Sequence, residues 1–150
     1  MTQLSDREQI YDLMVKYGRA NDTHDADLAR TLFTEDITAK YEPYSGELVG
    51  FDAFMDRWIG GLERIQTTHQ FTNFEFDVNS DEDEGSFSCL LLAQHWPRDL
   101  EPFGDTPMYT NGSRYDCTVR RTADGWKISH LHLRTLWASG DPQVLAHLVP

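Results

Sequence analysis

Asp22 and His69 are the two residues whose types and settings point first to proton transfer. Asp22 follows a run of helical spacing, in Asn21-Asp22-Thr23-His24-Asp25, a segment rich in residues that also cap a following helix. His69 lies in Thr67-Thr68-His69-Gln70-Phe71-Thr72-Asn73, where strand alternation puts it on the side of Phe71 and Asn73. Taken singly, Asp22 has a capping role available and His69 a structural one. Together, a carboxylate at a helix end and an imidazole on a facing strand make a general-base dyad, in which the carboxylate fixes the tautomer and strengthens the base.

Other polar groups are candidates to assist. His95 ends the single-phase run Phe87, Cys89, Leu91, Ala93, His95, so it is expected to point inward as a second acid or a buried hydrogen-bonder. Tyr17 and Tyr41 are candidate phenolic acids or oxyanion donors, with Tyr17 also readable as part of an apolar stripe. Asn111 and Tyr115 share one phase of a long strand and Asp116 and Arg120 the other, so a common pocket face requires a bulge. Phe54 and Trp58 are candidate pocket walls or plain core. His130 and His132 share a face, and with His69 and His95 they raise a metal reading. That reading lacks a His-x-x-x-His pair, an acidic ligand partner or a cysteine at recognisable ligand spacing, so no metal is expected. No GxGxxG, P-loop, GxSxG or HExxH occurs, which leaves proton transfer without a cofactor.

The elements that must position these groups fall into two halves. Ser5-Asp6-Arg7-Glu8 reads as a capping box, and Ile10, Leu13, Met14 and Tyr17 repeat at helical spacing, predicting a helix over 6–20. Leu28, Leu32 and Phe33 predict a second short helix ending near 34–36. Residues 37–44 are strand-like, and Phe51, Phe54, Trp58 and Leu62 mark a third helix ended by Gly60-Gly61 or fraying late through them. Four long β segments follow, near 67–78, 87–96, 108–121 and 126–137, joined by charged or Asp-Gly turns that favour antiparallel hairpins. The longer connection, 97–107, is a candidate cover for a pocket mouth. Helices first and antiparallel strands afterwards predict an α+β domain, one curved sheet wrapped over three helices.

Composition bounds the partners. The 150 residues suit one domain with one real core, and 39% hydrophobic with 12% aromatic content suffices for an interior and a lined pocket. Thirteen basic against 25 acidic side chains give a net charge of −12, which repels phosphate backbones and anionic lipid, so neither nucleic acid nor membrane is expected as a partner. Cys89 and Cys117 sit in apolar stretches without finger spacing and read as reduced core thiols. The amino terminus runs at once into a polar helical pattern, and no apolar run approaches bilayer length, so a cytoplasmic protein is expected.

Tyr17 five residues before Asp22, then Thr67-Thr68-His69-Gln70-Phe71-Thr72-Asn73, then Asp124-Gly125-Trp126-Lys127-Ile128, resemble the SnoaL-like group of the nuclear transport factor 2-like superfamily over nearly the whole chain. The nearest motif likeness is to scytalone dehydratase, bile acid 7α-dehydratase and hexachlorocyclohexane dehydrochlorinase. The resemblance implies a cone-shaped half-barrel enclosing an apolar cavity, assembled as a homodimer or homotrimer. It places the aspartate and histidine roles on Asp22 and His69, a tyrosine role on Tyr17 or Tyr41, a second histidine on His95 and an arginine on Arg120. The dehydrochlorinase has a lysine where this chain has Tyr17, which argues against dehydrohalogenation. The expected activity is that of a cofactor-independent lyase or isomerase, dehydratase in type, acting on a small apolar cyclic or polycyclic substrate. A polyketide cyclase or epoxide hydrolase would share this pocket logic, and a non-catalytic binding or structural subunit is the rival class.

Overall fold

Ser5 starts the first helix as the spacing predicts. In the computed structural model, which describes residues 4–148, its hydroxyl accepts from the Glu8 backbone N–H while the Glu8 carboxylate takes the Ser5 N–H at 2.7 Å. The helix α1 (Asp6–Thr23) runs a turn further than expected, and His24 closes it in the left-handed region at φ 56°. Asp22 therefore sits inside the last turn rather than after it. Capping of α2 (Ala26–Arg30) falls to Asp25, whose carboxylate accepts from Leu28 N–H at 2.9 Å.

The second helix is shorter than the spacing of Leu28, Leu32 and Phe33 suggests, because Phe33 already belongs to strand β1 (Phe33–Glu42). Phe33, Ile37 and Ala39 are buried in that strand, with Phe33 packed on Phe54 at 4.5 Å between ring centroids. A short strand β2 (Glu47–Val49), not predicted from the sequence, pairs antiparallel with β1. Helix α3 (Phe51–Leu62) passes through both glycines to Leu62.

Strands β3 (Ile65–Val78), β4 (Glu84–Pro97), β5 (Tyr109–Thr122) and β6 (Gly125–Gly140) form the expected antiparallel series. The sheet order is β2-β1-β6-β5-β4-β3, and β1 joins β6 in parallel. A 3-10 segment, Pro142–Leu148, follows β6 and packs Val144 and Leu145 on Ile65 and Tyr109. The core fills the concavity between one face of this open sheet and helices α1 and α3, with Met14, Phe54, Tyr115 and Leu131 among its fully buried members.

Two irregularities set which side chains face inward. On β3 the pairing slips between Thr72 and Glu75, with Asn73 at φ 53°. Asn73 is thereby exposed and leaves the phase of His69, while Phe74 and Phe76 turn toward the core. On β5 the register shifts between Gly112 and Ser113, and Asn111, Ser113 and Tyr115 are all buried. No helix among the described residues is long and apolar enough to cross a membrane.

Candidate active site

The last turn of α1 lies against the start of β3, and this contact holds Asp22 beside His69. Asp22 Oδ1 accepts from His69 Nδ1 at 2.7 Å and from the Thr67 hydroxyl at 2.8 Å, while Oδ2 accepts from the His69 backbone N–H at 3.0 Å. Gln66 clamps the same turn from outside by donating to the Asp22 carbonyl at 2.6 Å. A carboxylate can only accept, so the proton of a neutral His69 resides on Nδ1 and the Nε2 lone pair is left available. The His69 side chain is 9% exposed and lines a cavity, whereas the Asp22 side chain lies behind it.

That cavity, about 130 Å³, lies between α1, α3 and the concave face of the sheet. Tyr17, Tyr41, Phe54, Trp58, His95, Asn111 and Tyr115, each expected at the site, line it with His69. The Tyr17 and Tyr41 hydroxyls are 2.9 Å apart, and burial pushes the phenols of Tyr17, Tyr41 and Tyr115 above their ordinary range. They stay protonated near neutral pH, so each keeps an O–H able to donate.

His95 faces His69 edge-on, 6.1 Å between ring centroids, and its Nδ1–H donates to the Tyr109 carbonyl at 3.2 Å. Burial, assisted by repulsion from His69, lowers its pKa to about 4. His95 is thereby held as a neutral hydrogen-bonding group with an accepting Nε2, which favours the buried hydrogen-bonder of its two expected roles.

Arg120 is corrected from a pocket residue to a surface one. Its guanidinium reaches Asp36 at 2.9 Å and Glu84 at 3.2 Å, because the phase that buries Tyr115 and Val119 turns Arg120 outward. Asp116 also faces away, paired with Arg114 and Arg134. His130 and His132 point to the convex face, where His130 meets the Thr38 hydroxyl at 2.6 Å and His132 lies near Glu42, since the intervening Leu131 and Leu133 are buried. They do not converge with His69 and His95. The 97–107 connection contributes nothing to the cavity wall; Leu145 of the 3-10 segment stands there instead.

A family model for the SnoaL-like domain matches residues 2–132. The chain belongs to the SnoaL-like family. A protein of Penicillium crustosum, terrestric acid biosynthesis cluster protein E, is 30% identical over 141 residues, covering 92% of this chain and 88% of its own. Among solved structures, a Novosphingobium aromaticivorans protein described as a candidate aromatic ring hydroxylase superposes with a TM-score of 0.80 at 25% identity, covering 97% of this chain and 99% of the other. A candidate scytalone dehydratase of the same organism superposes at 0.75 with 24% identity, covering 88% and 85%. The fold is nuclear transport factor 2-like, as the resemblance implied.

Within this SnoaL-like frame several site residues were not foreseen. Thr67, which fixes Asp22, carries a signal that was available: it is in phase with His69, two residues before it. Asn21 and Tyr44 also line the cavity, Asn21 tied by its amide to the Tyr17 carbonyl at 2.8 Å and Tyr44 by its hydroxyl to Tyr109. Neither has a local signature, since each depends on how separate elements meet.

Proposed function

We propose that this SnoaL-like protein is a cofactor-independent lyase that removes water from a small, largely apolar, hydroxylated ring compound. The observation that carries the proposal is the 2.7 Å contact between Asp22 and His69 Nδ1, with His69 in a cavity wall. His69 Nε2 takes a proton from an activated ring carbon. The electron pair released forms the new double bond, the neighbouring C–O bond breaks, and the departing hydroxide takes a proton from the Tyr17–Tyr41 pair to leave as water. The proton held on His69 then returns to the phenol. Asp22 is a positioning residue, holding the ring through the bond to Nδ1.

Size supports the substrate class. A dry cavity of about 150 Å³ accepts benzene, and one of about 130 Å³ here suits one ring better than several fused ones. The repulsion between a net charge of −12 and anionic substrates favours a neutral molecule.

The test is to screen hydroxylated cyclic ketones and alcohols for water loss by mass spectrometry, then to compare variants on a turned-over compound. His69→Gln is expected to lower kcat by roughly 10³-fold and Asp22→Asn by roughly 10²-fold, in the range of a positioned general base, with thermal unfolding still cooperative. Turnover within threefold of the parent in His69→Gln would remove His69 from the reaction and end this reading.

A further inference from the structure

Arg57 is the one arginine or lysine among the described residues that line the cavity, and no aspartate or glutamate among them lines it. The side chain comes from α3, is half-buried, and donates from Nη2 to the Tyr44 carbonyl at 3.0 Å. That carbonyl belongs to a tight turn, in which the Ser45 N–H donates to the Tyr41 carbonyl at 2.7 Å and the Tyr41 N–H to Ser45 Oγ at 3.3 Å. The turn delivers two phenols to the cavity, Tyr41 against Tyr17 and Tyr44 against Tyr109. Arg57 therefore ties α3 to the segment that carries them. Its charge also reaches the Tyr41 hydroxyl: burial and the neighbouring Tyr17 and Cys117 hold that phenol neutral, and Arg57 pulls the other way. The Asp22 carboxylate stands behind His69 and is engaged by its own three donors.

We propose that Arg57 is an electrostatic positioning residue of this cavity, which holds the 41–45 turn in place and makes a negatively charged oxygen beside Tyr41 favourable. A ring compound with an acidic hydroxyl is then expected to bind there as its anion. Such a compound enters neutral, so the net charge of −12 does not repel it at a distance, and it ionises inside. The step is proton loss alone: the O–H bond breaks, its electron pair stays on oxygen, and the proton passes to water. A guanidinium favours that anion more strongly from a mostly apolar wall than it does in bulk water, and it does not itself lose its proton. This deepens the dehydratase reading and rests on it only for turnover. There the same field holds the negative charge left on the Tyr17–Tyr41 pair once its proton has gone to the departing hydroxide.

4-Nitrophenol tests this without turnover, because its anion is yellow and its neutral form is not. With the full chain in excess, the absorbance of the bound probe is followed against pH. The bound probe is expected to ionise at a lower pH than the free probe. Arg57→Gln should raise that midpoint by about one pH unit, a tenfold change in the ionisation constant. Arg57→Lys, which restores a charge without the guanidinium fork, should recover most of the shift. Glutamine keeps a donor for the Tyr44 carbonyl, so a role limited to the tie would leave the midpoint where it was. Should Arg57→Gln not fold, the Nε–H signal of Arg57 in nitrogen-15-labelled parent protein gives the same answer. It should move with 4-nitrophenol above the ionisation midpoint and stay in place with 4-nitrotoluene, which has the same shape and no acidic group. A bound probe that ionises no more readily than the free one, a midpoint unchanged in Arg57→Gln, or an unmoved Arg57 signal would each remove this role from Arg57. If the probe behaves as expected and His69→Gln turns over normally, the dehydratase reading fails alone. If His69→Gln is inactive and the midpoint ignores Arg57, the role of Arg57 fails alone.

Discussion

Asp22 illustrates how a common residue acquires a directed role. Three donors converge on its two carboxylate oxygens, and two of them come from His69 itself, through the ring and through the backbone N–H. The ring cannot rotate without breaking one bond, and β3 cannot slide without breaking another. His95 has the opposite character, held neutral by burial, and this leads to a pH prediction. Its pKa lies at about 4 in the folded protein against 6.5 in an open chain. The unfolded chain therefore binds the proton first, and stability present above pH 6.5 is lost as pH falls toward 4. Between pH 7.5 and 5 the loss should be roughly 2 kcal/mol by proton linkage. His24, also lowered by burial, acts in the same direction, so the check is urea unfolding of His95→Asn beside the parent at both pH values. The parent should lose more stability than the variant. Asp6, held at about 2 by Arg121 and Trp126, acts only at lower pH and does not disturb the comparison. The dyad and His95 were legible in the sequence because residue type and strand phase suffice to nominate them. That the buried Trp58 N–H lacks a partner among the described residues was not, because whether a buried donor is paired depends on the neighbours that tertiary packing supplies.

At the scale of elements, α1 and β3 must lie close for the dyad to exist, and Gly18 permits it. A Cβ on Gly18 would come within 2.9 Å of Phe71 Cε2 and 3.5 Å of the His69 Cβ. Alanine at this position gains about 1 kcal/mol in helix propensity, which offsets much of the crowding. Gly18→Ala is therefore expected to shift the melting temperature little while lowering turnover roughly tenfold, because small displacements of a base are amplified in rate. Gly18→Val adds bulk without that gain and should lower the melting temperature as well. The long strands were legible from alternation, and helices α1 and α3 from spacing and capping. The boundary between α2 and β1 was not, since Leu32 and Phe33 satisfy a helical stripe and a buried strand start equally well. Contact with Phe54 across the core decides between them. Asn73 escaped for a related reason, as one bulge residue reverses every phase beyond it.

Across the whole molecule, the two cysteines report on integrity. Cys89 and Cys117 are free and buried on adjacent strands, with the Cys89 thiol pushed up to about 12 and that of Cys117 also raised by burial. Both should resist a thiol reagent at neutral pH in the native protein, and both should react once denaturant passes the unfolding midpoint. Reaction of either thiol well below that midpoint would indicate local opening of the β4–β5 hairpin. The α+β architecture could be read from the order of helices and strands. The parallel joint between β1 and β6 could not, because nothing local in either strand names a partner so distant.

That joint has a consequence for how the chain is made. Thr38 and His130 bond across a separation of 92 residues, and β1 lies between β2 and β6 in the sheet. On the ribosome β1 can gain β2 early, but its other edge stays open until the final strand has been synthesised. The cavity, whose wall includes Leu133 of β6, is likewise unfinished until then. The hairpins β3 to β5 can assemble during synthesis, whereas the cavity closes only after β6 emerges. From the emergence of β1 to that of β6 the nascent chain carries an unpaired edge, and that interval is when a chaperone or a neighbouring nascent chain has access to it.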